Sequence, residues 1–121
     1  MNDTAAVQAC IDNYIHGTFD GDIEQLKGCF APQAVMNGFL NGDMLRSTPQ
    51  PFIDDIASGP SMKEQGCDYK AEILSVRITG EIASAVVRET GFRNTVNMEN
   101  HFHLMKIEGQ WKIVSKLFTT L

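Results

Sequence analysis

The sequence predicts an α+β fold, with amphipathic helices in the first half packed on one face of a strongly curved antiparallel sheet built from the second half. Three observations carry this. The hydrophobic period changes from helical to two after residue 67. The runs that follow are separated by the short turn segments "TGE", "FRN" and "EGQ", the pattern of a meander. These runs also exceed the usual strand length of about five or six residues, so the sheet has to curve to stay compact. Helices first and a long sheet last give α+β, not alternating α/β.

The elements follow in order. Val7, Ile11, Tyr14 and Thr18, with Cys10 and Ile15 beside them, recur at helical spacing behind a potential N-cap at Asp3, so a helix is expected from residue 4 to about 18. "FDGD" ends it. Residues 22 to 30, "DIEQLKGCF", fit a short second helix carrying Ile23, Leu26 and Phe30 inward, with Pro32 as its stop. "AVMNGFLNG" reads as a short strand and a turn. "TPQPFIDDIASG" reads as a third small helix with Pro51 in its first turn and Gly59 near its end. Residues 68 to 79, 82 to 93, 95 to 107 and 110 to 120 then alternate as four strands.

Composition bounds the function. A chain of 121 residues, 43% hydrophobic and 21% charged, is expected to form one domain, residues 1–121, around one modest core. A formal charge of −5 without any Lys/Arg run argues against nucleic acid as a partner. No stretch is apolar for long enough to span a membrane, and "MNDTAAVQACIDNYIHG" does not read as a secretory signal, so the cytoplasm is the expected location. Cys10, Cys29 and Cys67 are an odd count without CxxC spacing and read as buried free thiols. No Gly-rich phosphate loop, nucleophile elbow or Cys-His signature is present, and no cofactor is expected. Asp54 and Asp55 are adjacent on a helix and point apart, while Asp20 and Asp22 suit turn and cap roles.

The order of elements, with "YIHGTFDGDIEQLKGCFAPQAVMNGFLNG" and the terminal "GQWKIVSKLF", resembles the NTF2-like superfamily, a cystatin-like α+β cone. Within it the chain looks most like the SnoaL-like and "putative lumazine-binding" group, and the resemblance covers nearly all of the chain. It implies three helices on a curved sheet with a pocket inside the cone. It implies little about activity, because this scaffold hosts isomerases, dehydratases, hydrolases, transport factors and proteins with no known activity.

The stretch "NMENHFHLMKIEGQWKIVSKLF" carries the site argument. His101 and His103 share a strand face, as two metal ligands would, but Glu108 has the opposite parity and falls at the "EGQ" turn, and His16 lies off the apolar stripe of its helix. No metal site is therefore expected. The resemblance places Asn100 on a pocket-facing position, which turns the histidines to the outer face, where proteins of this shape commonly dimerise. A homodimer through His101, His103, Met105, Trp111 and Ile113 is expected. By the same parity Asn100, Phe102, Val114, Lys116 and Phe118 face the pocket, with Tyr14 entering from the first helix, and these six are the candidate ligand-binding residues.

Lys116 is the unusual member, since an ammonium on an apolar wall has to be paired or reach water, and it suits an anionic or carbonyl-bearing small molecule. Against ketosteroid isomerase, which uses a tyrosine, a protonated aspartic acid and an aspartate base, Tyr14 falls on the tyrosine position and Asn100 on the second donor. Gly38 falls on the base, leaving nothing to accept a proton. The expectation is a small-molecule-binding protein with no catalytic residues by that route. The alternatives are an isomerase or dehydratase using Tyr14 and Lys116 on a carbonyl substrate, and a structural domain whose cone is filled.

Overall fold

The computed structural model describes residues 2–121. Helix α1 spans Asp3–Asp20, with Asn2 as its N-cap: the Asn2 side chain accepts from the Ala5 amide, and Gly21 closes the other end in the left-handed region. Asp3 is thus the first helical residue and not the cap. Its carboxylate accepts from Trp111 Nε1 and Lys106 Nζ, each at 3.1 Å, tying the start of the helix to the far end of the sheet. The indole hydrogen bond first, and then the lysine, hold the Asp3 carboxyl below the usual range.

Helix α2 is shorter than the sequence suggests, Ile23–Gly28 behind an Asp22 cap. Phe30, expected at its end, instead opens strand β1, Phe30–Leu40. Pro32 does not stop a helix but lies inside this strand. It is tolerated there because the pairing of β1 with its neighbour is interrupted between Phe30 and Val35, so no ladder bond is lost. The expected short strand and turn is a full hairpin of β1 with β2, Asp43–Ser47, turned at Asn41 and Gly42 with φ of 52° and 89°. Helix α3 is Gln50–Ala57, with Pro51 in its first turn.

The four strands of the second half form as expected: β3 Lys70–Thr79, β4 Ile82–Phe92, β5 Val96–Ile107 and β6 Gln110–Thr120. The sheet has six strands in the order β2-β1-β6-β5-β4-β3, antiparallel throughout except that β1 runs parallel to β6. Irregularities between Ile73 and Ser75, Glu89 and Phe92, and opposite His103 and Leu104 bend it. The helices lie in the concave side, and one core of Val7, Ile11, Tyr14, Leu26, Ile53, Phe102 and Ile113 fills the space between.

The bulge in β6 has a consequence for side-chain direction. His103 pairs with Ser115 and Leu104 with Ile113, so Val114 is the extra residue and parity inverts across it. Trp111 and Ile113, expected on the outer face, are buried in the core. Val114, expected in the pocket, turns outward and lines a groove with His103, Met105 and Ile82. Beyond the bulge, Lys116 and Phe118 face inward as parity requires.

Candidate functional site

Under α3 and β2 the cone opens as a cavity of about 290 Å³. Its wall is apolar, with Met36, Leu40, Leu45, Phe52, Met98 and Phe118. Lys116 closes its inner end at 3% exposure. Asp55 stands at the rim and is paired with Arg93 at 3.1 Å.

The Lys116 ammonium sits in an aromatic cage. Its Nζ lies 5.0, 4.8 and 5.1 Å from the ring centres of Tyr14, Phe52 and Phe118, and it donates to Tyr14 Oη at 2.7 Å. Tyr14 is in turn fixed edge-on against Phe102, at 5.0 Å between ring centres, and stacked on Phe52 at 6.2 Å. Burial lowers the pKa of Lys116 from its ordinary value, and the charge of Glu89 works against that shift. Burial also pushes the Tyr14 phenol well up, and Glu89 adds to it.

Glu89 is the residue that sequence reasoning missed. It is fully buried on the inner face of β4, and neither carboxylate oxygen has a hydrogen-bond partner among the described residues. The carboxylate lies close enough to Tyr14 and Tyr69 to help hold both protons on, after burial, although neither phenol reaches it with hydrogen-bond geometry. The signal was present in "IASAVVRETGF": Glu89 is in phase with the inward Ala83, Ala85 and Val87, while Arg88 and Thr90 are out of phase. A charged residue in register with a small apolar stripe is a buried charge, which calls for a partner.

The structure divides the six candidate residues. Lys116 and Phe118 line the cavity. Tyr14, Asn100 and Phe102 are inside the cone but behind Lys116, fully buried and packed into its apex. Asn100 donates to the Val87 carbonyl at 3.4 Å, and its Oδ1 has no partner among the described residues. Val114 is on the opposite face. The cone is thus filled at its apex and open at its mouth.

Gly38 is closed to an acid for a steric reason. A Cβ there would lie 2.1 Å from the Phe118 carbonyl oxygen and 2.8 Å from its ring. His101 is outside and bonded to Glu99 at 2.8 Å, and Glu99 also takes Arg88 at 2.6 Å. Glu108 sits in the β5–β6 turn with φ of 51°. Among the described residues no three His, Cys, Asp or Glu side chains converge as metal ligands. The thiols of Cys10, Cys29 and Cys67 are free and buried, and burial pushes Cys10 up to about 11.

A family model described as "Putative lumazine-binding" matches residues 2–119. Among solved structures, the chain is similar to an NTF2-like protein of unknown function from Shewanella baltica OS155, at 26% identity and a TM-score of 0.84, covering 98% of this chain and 93% of that one. It is similar to an NTF2-like protein of unknown function from Silicibacter pomeroyi DSS-3 at 25% identity, with a TM-score of 0.84 and coverage of 98% and 95%. A third NTF2-like protein of unknown function, from Methylobacillus flagellatus KT, shares the fold at 22% identity with a TM-score of 0.86, covering 98% of this chain and 92% of that one. No curated protein matches the chain. No helix among the described residues is long and apolar enough to cross a membrane.

Proposed function

The chain belongs to the family described as "Putative lumazine-binding", of NTF2-like fold, and from that premise we propose that it binds a small, partly apolar molecule in the mouth of the cone. The observation that carries this reading is Lys116: a buried ammonium at the end of an otherwise apolar cavity of about 290 Å³. That volume is at the low end for organic ligands and suits a molecule of one or two rings. The apolar wall takes its body, and Lys116, held by Tyr14, reads an anionic or carbonyl oxygen at its inner end.

Benzoate and benzyl alcohol test the charge reading, because they share a shape and differ at the oxygen end. Calorimetry should show Lys116→Ala weakening benzoate by about 1 to 3 kcal/mol, the range of a charge-assisted hydrogen bond, with a smaller loss for the alcohol. Equal losses for the two probes would make Lys116 a packing residue only.

A second copy of the chain is the partner proposed for the outer sheet face. Ile82 and Leu117 there are 58% and 53% exposed, beside Phe39, Met105, His101 and His103. An apolar surface of this kind, rimmed by polar groups, suits a two-fold contact.

A further inference from the structure

Lys116 is an amine as well as a charge, and its surroundings suit covalent chemistry. We propose that Lys116 is a nucleophile that forms a reversible Schiff base with a small aldehyde or ketone held in the cavity, with Tyr14 and Glu89 carrying its proton. The inference rests on the ligand-binding reading and deepens it by naming a reactive class of ligand.

Position comes first. Lys116 lines the inner end of the cavity with Phe52 and Phe118, and its Nζ lies 4.8 and 5.1 Å from those two ring centres, so a carbonyl compound seated in the cavity is held beside the amine. Attack requires the neutral amine, and the structure holds an acceptor for the surplus proton. Nζ donates to Tyr14 Oη at 2.7 Å, and behind Tyr14 stands Glu89 with both oxygens free of hydrogen-bond partners among the described residues. Once the Glu89 side chain closes the gap to the Tyr14 phenol, which it does not hydrogen-bond at rest, a proton passed from the ammonium to Tyr14, with the phenol's own proton passed on to Glu89, leaves both the amine and the carboxyl neutral. In an apolar interior this removes two desolvated charges at once. Burial already lowers the pKa of the lysine. The other ionisable groups around the site are Tyr69, whose phenol burial also pushes up, and Asp55, whose charge Arg93 offsets at the rim.

The chemistry balances without an added reactant. The nitrogen lone pair forms the C–N bond while the carbonyl π pair moves to oxygen, which takes the proton held by Glu89 through Tyr14. The carbinolamine then loses its hydroxyl with one further proton as water, leaving C=N, and hydrolysis reverses each step. The three rings that now surround the ammonium would equally face the protonated imine, a cation of the same sign in the same place.

The test uses the whole chain and two carbonyl probes. Acetylacetone converts a reactive lysine into a conjugated enaminone that absorbs in the near ultraviolet, and benzaldehyde with cyanoborohydride leaves a benzyl group on any lysine that forms an imine. Peptide mapping should place both adducts on Lys116, formed faster than on any other lysine by about tenfold or more, as expected where the cavity holds the carbonyl beside the amine. Lys116→Arg should lose them. Tyr14→Phe should slow them and shift their dependence on pH, which a packing role would not do. Mapping in the unmodified protein decides the matter even if a variant folds poorly. If benzyl alcohol binds in the cavity but adducts appear only on exposed lysines, the Schiff-base inference fails and the binding reading stands. If neither benzyl alcohol nor benzoate binds and Lys116 stays unmodified, both fail.

Discussion

The inner and outer faces of β4, β5 and β6 are made by alternate residues of the same three strands, yet their chemistries are opposite. Inside, Glu89, Asn100 and Lys116 are polar groups in an apolar setting, each with few hydrogen-bond partners, and Lys116 alone borders the cavity. Outside, Arg88, Glu99 and His101 are polar groups in solvent, linked in a chain of contacts at 2.6 and 2.8 Å, with Ile82, Met105 and Leu117 exposed among them. Ion pairs of the outer kind contribute little to stability, whereas a lone charge of the inner kind costs several kcal/mol unless something answers it. The ion pairs outside therefore need no function to explain them, and the buried charges inside do.

The contrast can be broken first at its tightest point. Gly38→Ala puts a methyl group 2.1 Å from the Phe118 carbonyl oxygen, and backbone cannot yield as a side-chain tip does. Denaturant unfolding should show a loss of about 3 kcal/mol or more, the upper end of overpacking effects. A loss below about 1 kcal/mol would mean that β1 and β6 can separate, and that the mouth of the cone is softer than it looks.

A smaller effect measures whether Lys116 and Glu89 act as a pair. Lys116→Met and Glu89→Gln each leave one buried charge without its opposite, while the double variant leaves none. Each single variant should be destabilised, and the double should be more stable than the sum predicts by about 1 kcal/mol or more. Additivity within about 0.3 kcal/mol would separate the two residues energetically. It would also remove Glu89 from the proton route.

The smallest effect on the fold belongs to the outer face. His103→Glu adds a charge to each half of the proposed two-fold contact, where it would be desolvated only on association. Sedimentation should show self-association weakened about tenfold or more, with the stability of the fold changed by no more than about 0.5 kcal/mol. An unchanged assembly would place the contact between copies elsewhere.

Much of this was legible in the sequence because it depends on local periodicity. The three helices, the four long strands and the sharing of one face by His101 and His103 all follow from spacing along one segment, whereas which face is the outer one came from the family resemblance. The burial of Tyr14 and Phe102 follows in the same way. Glu89 was missed, although its phase with Ala83, Ala85 and Val87 is visible in the strand itself.

What the sequence by itself determined is therefore the kind of element along most of the chain, though not at residues 29–47 where β1 and β2 form, and, within an unbroken strand, which residues share a face. The tertiary structure alone decided three further things. It paired β1 in parallel with β6, a contact between segments about 80 residues apart that no local pattern encodes. It put a bulge at Val114, exchanging Trp111 and Ile113 for Val114 between the two faces, because a strand that must curve around the helices takes up the strain by an extra residue. And it set how deep the cavity runs: Phe102, Tyr14 and Asn100 fill the apex, so Lys116 becomes the end of the pocket. Parity gives the direction of a side chain, but the space left in front of it is fixed only when every element has been packed.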